Sequence, residues 1–372
     1  MGNYGALDRE PQKPPSRVKS AVRETSRLDN FHNVPYLLLD WVVSLASCAV
    51  SVVVDHPFIY LLAVVVIGSR MRALGNLLHE ASHRKLFRSR SLNDNLGTLL
   101  CAWPLAISYR RYVDDHRLHH VYLWDPDKDP DLGLYRLTRT ETGSADQCAR
   151  WRFWLVHVAL AVIPVMPWRR LCVDLASNRP RLVKFCVLVL LLSVMEIWTD
   201  LFILHIVFSY WLIPFITSYQ TIVYWAEIAE HGGMRSLGKM WGSRNWRGNI
   251  ISRWLIGPHS DDSYHLLHHW FPSVPHYRLA QLDSVCSTEW QRYAEHPQCG
   301  GFFLSGGLRR SVIDDIWIGS APAIRSDEIG QASLNFLGAE PSYPADATTG
   351  SKLVTPLSWL PQSIRCRVRV RL

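Results

Sequence analysis

Twenty consecutive residues, 35–54 (PYLLLDWVVSLASCAVSVVV), contain a single charged side chain, Asp40. A helix of this length spans about 30 Å, which is the thickness of the hydrocarbon core of a bilayer. The bilayer core contains no water, so a segment within it must satisfy its backbone hydrogen bonds internally, as a helix does. The run therefore predicts a transmembrane helix and excludes an ordinary soluble fold.

A second apolar run starts at Phe58, after a turn formed by Asp55, His56 and Pro57. Its first twelve or so residues are too few to cross a bilayer at about 1.5 Å per residue. We therefore predict one long helix that continues through ALGNLL and carries the next motif, HEASH, beyond the bilayer. Arg70 and Arg72 would then snorkel to the membrane interface.

Two more runs, 182–198 and 201–225, predict further spans, whereas 153–167 is interrupted by Pro164 and Pro167 and predicts an in-plane or re-entrant helix. The expected fold class is all-α and integral to the membrane. About four transmembrane helices would form two hairpins, with a cytosolic helical cap that holds a histidine-rich di-metal site.

Lysine and arginine are absent from the turns near 55 and 200 and abundant in the leader, in 84–152 and in 226–310. By the positive-inside rule, this predicts a multi-pass protein whose termini and histidine clusters are cytoplasmic. The net charge of +8 suits loops that face an anionic leaflet, so no nucleic-acid partner is expected. The predicted organisation is a basic flexible leader (1–33), a membrane domain (34–300) and a poorly ordered or peripheral tail (301–372).

Three histidine clusters lie just outside the predicted spans: HEASH (79–83), HRLHH (116–120) and HLLHH (265–269). Positions i, i+3 and i+4 share one face of a helix, so each cluster presents its imidazoles in one direction. Half of the sixteen histidines fall in these stretches, which predicts a metal site. The candidate ligands are His79, His83, His116, His119, His120, His265, His268 and His269.

A ninth candidate ligand, His231, follows a predicted span in YWAEIAEHGG. Glu227 lies one turn earlier on the same helical face, which makes it a candidate direct or water-mediated ligand. Three other acidic residues adjoin the clusters and could orient ligating imidazoles through hydrogen bonds: Glu80, Asp115 and Asp262.

Eight or nine imidazoles are too many for one ion and suit two. Imidazole binds zinc, copper, iron and nickel alike, and we favour two redox-active iron ions, because a redox-inert zinc pair gains little from so many neutral ligands. HEASH also satisfies the zinc-protease pattern H-E-x-x-H, with Glu80 as the base. An intramembrane zinc protease therefore stays open as a remote alternative, although it would leave six clustered histidines without a role.

Three features occur together over about residues 35–290: the three histidine clusters in this order, two hydrophobic hairpins, and AEHGG before the last cluster. In this combination the chain resembles the membrane fatty acid desaturase family. This resemblance implies a non-haem di-iron centre, O₂ as co-substrate and a fatty acyl substrate that enters from the membrane. It also implies electrons from a separate ferredoxin or cytochrome b5 type protein and its reductase. Desaturation is the expected reaction, and related di-iron lipid hydroxylases or terminal-alkene-forming decarboxylases, which share the histidine clusters, stay open.

Overall fold

The computed structural model describes residues 13–145, 148–162, 187, 190–198, 202–260, 262–296, 298–305 and 309–319. In these ranges the secondary structure is helical, apart from two isolated β-bridges. The helices are α1 Ser16–Thr25, α2 Val34–Val54, α3 Pro57–Ser82, α4 Arg90–Leu96, α5 Tyr109–Tyr122, α6 Leu132–Thr138, α7 Arg150–Val162, α8 Ile203–Val207, α9 Ile213–Ile216, α10 Ser218–His231, α11 Gly238–Trp241, α12 Ile250–Leu255, α13 His265–Trp270, α14 His276–Glu289, α15 Gln291–Glu295 and α16 Val312–Ile318.

The first two apolar runs form α2 and α3, which pack against each other along their lengths. Asp55 ends α2 in the left-handed conformation, with φ 46°, and the His56 side chain accepts a hydrogen bond from the backbone N–H of Phe58 at the start of α3. The long second helix is confirmed, because α3 runs without a break from Pro57 to Ser82 and His83, the last residue of HEASH, is its C-cap.

Among the described residues, three helical stretches are long and apolar enough to cross a membrane: Val34–Val54, Pro57–Ser82 and Ile203–Trp241. The last comprises α8 to α11 with a π-helical segment at Phe208–Leu212. Of the predicted span at 182–198, residues 187 and 190–198 are described and helical, and the remainder lies outside the described residues. The predicted in-plane helix at 153–167 corresponds to α7 up to Val162, and its remainder is likewise not described.

The prediction that Arg70 and Arg72 snorkel to the interface is wrong, because their side chains are only 1% and 8% exposed. The guanidinium of Arg70 donates to Asp40 at 3.0 Å and to the carbonyl of Trp254 at 2.7 Å. A charge is tolerated in such surroundings when an opposite charge and hydrogen bonds satisfy it. The lone acid of the first apolar run is therefore the partner of Arg70, and it also lies 2.7 Å from His259.

Gly68 brings α3 and α10 into close contact. A Cβ at this position would lie 2.1 Å from Oγ of Ser218 and 2.7 Å from the backbone nitrogen of Tyr219. The same hydroxyl donates to the carbonyl of Val64 at 2.6 Å. This contact fixes the spacing between two helices that both carry predicted metal ligands at their C-terminal ends.

Both ends of the described chain pack on the body of the fold. The sequence predicted a flexible leader over 1–33, whereas the structure contains α1 and fully buries Val18 in an apolar cluster with α6, α13 and α14. The predicted tail begins at 301, yet α16 contributes Ile313 and Ile316 to a cluster with α7 and α10. Residues 1–12 and 320–372 lie outside the described residues.

Candidate metal centre

The nine predicted histidine ligands converge at one place, although four separate elements supply them. His79 and His83 lie at the C-terminal end of α3, His231 is the last residue of α10, and the two triplets lie on α5 and α13. Their ring nitrogens form two groups, in each of which the ligand atoms lie within 4.8 Å of one another. Set one comprises His79, His83, His116, His120 and His268, and set two comprises His119, His231, His265 and His269.

Each triplet contributes histidines to both sets, two to one set and one to the other, and the two triplets do so in reverse. From α5, His116 and His120 belong to set one and His119 belongs to set two. From α13 the pair His265 and His269 belongs to set two and His268 to set one. Helical geometry explains this division, since residues i and i+4 differ by about 40° around the axis, whereas i+3 lies about 60° away from i on the other side.

The spacing of the Nε2 atoms matches that of ligands around a metal ion. In set one, the Nε2 atom of His116 lies 2.8 Å from that of His83 and 3.0 Å from that of His120. In set two, the Nε2 atom of His231 lies 3.0 Å from those of His119 and His265. Two nitrogens at right angles around an ion, each about 2.1 Å from it, are about 3.0 Å apart.

The outer ring nitrogens of set two show which inner nitrogens carry lone pairs. Nδ1 of His231 faces the carbonyl oxygen of Gly242 at 2.9 Å, and Nδ1 of His119 faces Asp129 at 3.1 Å. Because these oxygens only accept hydrogen bonds, each Nδ1 carries the proton and each neutral ring has a lone pair on Nε2. Two lone pairs 3.0 Å apart need a cation between them. A metal ion fits, since one proton cannot serve four converging nitrogens.

Burial keeps most of these imidazoles in the neutral form that binds metals. Desolvation, reinforced by the neighbouring imidazoles, holds the pKa of His116, His120 and His268 well below the ordinary value. The pKa of His119 is raised instead, because Asp131, Asp129 and Glu227 together outweigh desolvation. The sets are therefore ready to take up cations near neutral pH without first losing several protons.

Glu227 is absent from both sets, although its charge acts on His119 and on the phenol of Tyr112. A different glutamate, Glu230, contacts set two, with its Oε2 3.6 Å from Nε2 of His265. Glu230 also pairs with Arg72 at 3.1 Å, which places a charged pair beside set two. No sequence pattern indicated this position for Glu230, because its partner Arg72 lies 158 residues away in the chain.

The three acidic residues proposed to orient imidazoles have different surroundings. Glu80 is buried, and its Oε2 accepts from the backbone N–H of His276 at 3.1 Å, so one oxygen holds the start of α14. Asp115 is part-exposed and pairs with Arg111 at 3.4 Å. The side chain of Asp262 is outside the part of the chain that the structure describes.

Two features that support the site were missed from the sequence. The acidic run WDPDKDPD (124–131) forms turns and places Asp129 against His119. Arg244, fully buried, donates to the carbonyls of Ala229 and Gly232 at the end of α10 and to Asp315 on α16 at 2.9 Å. Only three residues separate the end of HRLHH from the acidic run, which was a signal for the first feature. No local pattern indicated the second.

Comparison with known proteins identifies similarity to desaturases in each case. The family model described as fatty acid desaturase matches residues 55–297, a range that contains all nine histidines. A dihydrorhizobitoxine desaturase of Bradyrhizobium elkanii is 28% identical over 293 residues, which cover 75% of this chain and 82% of that protein. An endoplasmic reticulum omega-3 fatty acid desaturase of Vigna radiata var. radiata is 22% identical over 375 residues, with 92% and 94% coverage. A chloroplastic sn-2 acyl-lipid omega-3 desaturase (ferredoxin) of Helianthus annuus is 22% identical over 313 residues, with 78% and 70% coverage.

Proposed function

Because this chain belongs to the fatty acid desaturase family, we propose that it is a membrane-bound, O₂-dependent di-iron enzyme that introduces a double bond into a fatty acyl chain. The family makes it an oxidoreductase, and the histidine geometry supports the finer statement. The observation that most directly supports this proposal is that nine imidazoles converge into two adjacent sets with the spacing of metal ligands. One ion would be held by each set.

The chemistry requires removal of hydrogens from an unactivated alkyl chain, for which no protein side chain is a strong enough oxidant. Iron bound at the two sets, with O₂ and external electrons, would supply that oxidising power. The chain's own residues hold the site in place. His83 and His116 meet from α3 and α5, while Arg244 caps the helix end that presents His231.

The position of the site supports a substrate that enters from the lipid. Two of the described stretches that are long enough to cross a membrane carry candidate ligands at the C-terminal ends of α3 and α10: His79 lies within Pro57–Ser82 and His231 within Ile203–Trp241. Leu38 and Leu45 on α2 are 58% and 63% exposed, which suits contact with acyl chains. We further propose that the turn at Asp55 and His56 faces outward and that the histidine sets are cytoplasmic, since basic residues are concentrated on their side.

A second candidate substrate comes from one relative. The Bradyrhizobium elkanii protein is named for dihydrorhizobitoxine rather than for a fatty acid. Both substrates would require the same metal centre. They differ in the size and polarity of the molecule that must reach it. Both therefore belong in the assay, together with the alternatives of hydroxylation and decarboxylation.

The test is product analysis with the purified, iron-loaded protein in lipid nanodiscs, supplied with O₂, NADPH, ferredoxin and its reductase. Mass spectrometry distinguishes a desaturated product, lighter by two hydrogens, from a hydroxylated product or a shortened terminal alkene. Fatty acids, acyl lipids and dihydrorhizobitoxine form separate arms. A desaturated acyl product supports the proposal, whereas a desaturated product from dihydrorhizobitoxine alone replaces the substrate.

Paired variants connect the activity to the site. His268→Ala removes a ligand of set one, while His205→Ala changes an exposed histidine on α8 that belongs to neither set. We expect the first to abolish product formation and the second to leave it unchanged. Activity that is indifferent to His268 and to O₂, with one zinc per chain, would instead indicate the protease.

A further inference from the structure

The acidic run that follows HRLHH returns one carboxylate to the metal centre. Asp129 is 7% exposed, and its Oδ1 lies 3.1 Å from Nδ1 of His119. Asp131 lies on the same side, with Oδ2 3.3 Å from that nitrogen. The opposite nitrogen of the ring, Nε2, points at His231 in set two. His119 therefore connects two carboxylates to one of the two sets.

The backbone holds Asp129 in this position. Its Oδ2 accepts from the N–H of Trp124 at 2.9 Å, and its Oδ1 accepts from the N–H of Asp131 at 3.1 Å. These two backbone donors fix the orientation of the carboxylate, with Oδ1 facing the imidazole of His119. In the described part of the chain, the only histidine in hydrogen-bond contact with Asp129 is His119. Its effect on the metals is thus confined to set two.

We propose that Asp129, assisted by Asp131, is a positioning residue that strengthens metal binding at set two alone. The carboxylate fixes the His119 ring in the tautomer with the proton on Nδ1 and directs the Nε2 lone pair into the set. It also increases the basicity of that nitrogen, because a negative charge beside the N–H stabilises positive charge on the ring. Loss of such a partner typically weakens metal binding by about 10–100-fold. The inference rests on the proposed di-metal function.

A separate metal site at His119, Asp129 and Asp131 is the competing interpretation, since their ligand atoms also lie close together. It would need Nδ1 of His119 without a proton, and the ion would have to share the Asp129 oxygens with two backbone N–H donors. It predicts a third ion per chain. An orienting role predicts two ions and no more.

The experiment measures ⁵⁷Fe content and Mössbauer spectra of the full-length protein, with Asp129→Asn as the test variant. Asparagine keeps the size of the side chain and removes its charge. Asp127→Asn is the matched control, because Asp127 is exposed in the same run. Iron would be withdrawn by a chelator, and the release of each ion would be followed with time.

We expect two ions per chain in the wild type and in the control. In Asp129→Asn, one ion should be released about 10–100-fold faster, and one quadrupole doublet should change while the other persists. His83→Ala, which lacks a ligand of set one, should affect the other doublet. Should Asp129→Asn misfold, Asp131→Asn, at the half-buried edge of the pair, should give a smaller change in the same doublet.

Equal release rates in Asp129→Asn and the control would overturn the inference while leaving the di-iron function intact. A change in both doublets would overturn its restriction to set two. Three ions per chain would favour the separate site. A wild-type protein that is active without bound iron would instead overturn the proposed function, so the two failures are distinguishable.

Discussion

Removing the charge of Asp315 should destabilise the protein far more than removing that of its neighbour Asp314. Asp315 pairs with Arg244 at 2.9 Å, and the two side chains are 7% and 0% exposed. Asp314 pairs with Arg150, whose side chain is 52% exposed. The two carboxylates lie side by side on α16, so the comparison holds helix, position and chemistry nearly constant.

Breaking a buried ion pair by removing one partner costs about 3–5 kcal/mol, because the remaining charge is left uncompensated. Two backbone carbonyls still accept from Arg244 in the Asp315→Asn variant, so the lower end, about 3 kcal/mol, applies. An exposed pair contributes about 0–1 kcal/mol. At about 2 °C per kcal/mol for a chain of this size, Tm should fall by about 6 °C for Asp315→Asn and by at most about 2 °C for Asp314→Asn.

Thermal unfolding in detergent, followed by size-exclusion chromatography of heated samples, measures both variants. Because Arg244 also caps the helix that ends at His231, Asp315→Asn should lose iron at a lower temperature than the control. Equal Tm values for the two variants would refute the reasoning that the buried, uncompensated guanidinium dominates. They would also show that α16 contributes little to holding the end of α10.

Three further outcomes are expected. Gly68→Ala should lower the free energy of unfolding by about 1–3 kcal/mol, because the new Cβ meets the backbone of α10. Gly133→Ala, with no atom within 4 Å of its Cβ, should not lower it, and thermal unfolding compares the two variants. Glu80→Gln should retain oxidation product within a few-fold in the mass-spectrometric assay, since an amide oxygen can still accept from His276, whereas loss of all product would contradict this role. Burial lowers the pKa of His157 to about 4. The contribution of neutral His157 to the free energy of unfolding is therefore fully present above about pH 6.5, and it is lost at about 1.4 kcal/mol per pH unit as the pH falls toward 4. His157→Gln should reduce the slope of the pH profile in that range, measured by chemical denaturation, by about 1.4 kcal/mol per pH unit, and an unchanged slope would reject the assignment.

The features that the sequence predicted correctly are local. Helix length and apolar content identified α2 and the long α3, since both follow from residues adjacent in the chain. Helical periodicity predicted that the imidazoles of each histidine cluster point the same way, whereas the structure divides each triplet between the two sets. The prediction for Arg70 and Arg72 failed because interfacial snorkelling was inferred from hydropathy alone, without the partners Asp40 and Glu230.

The amino-acid sequence by itself determined that the chain has membrane-length helices and nine histidines suited to metal binding, because spacing along a helix fixes direction. Only the tertiary structure decided which histidines form each set, since that depends on how α3, α5, α10 and α13 meet. It also decided that Asp129 orients His119 and that α16 holds the end of α10 through Arg244. Such contacts join residues distant in sequence, and the folded packing of the helices brings them within hydrogen-bond range.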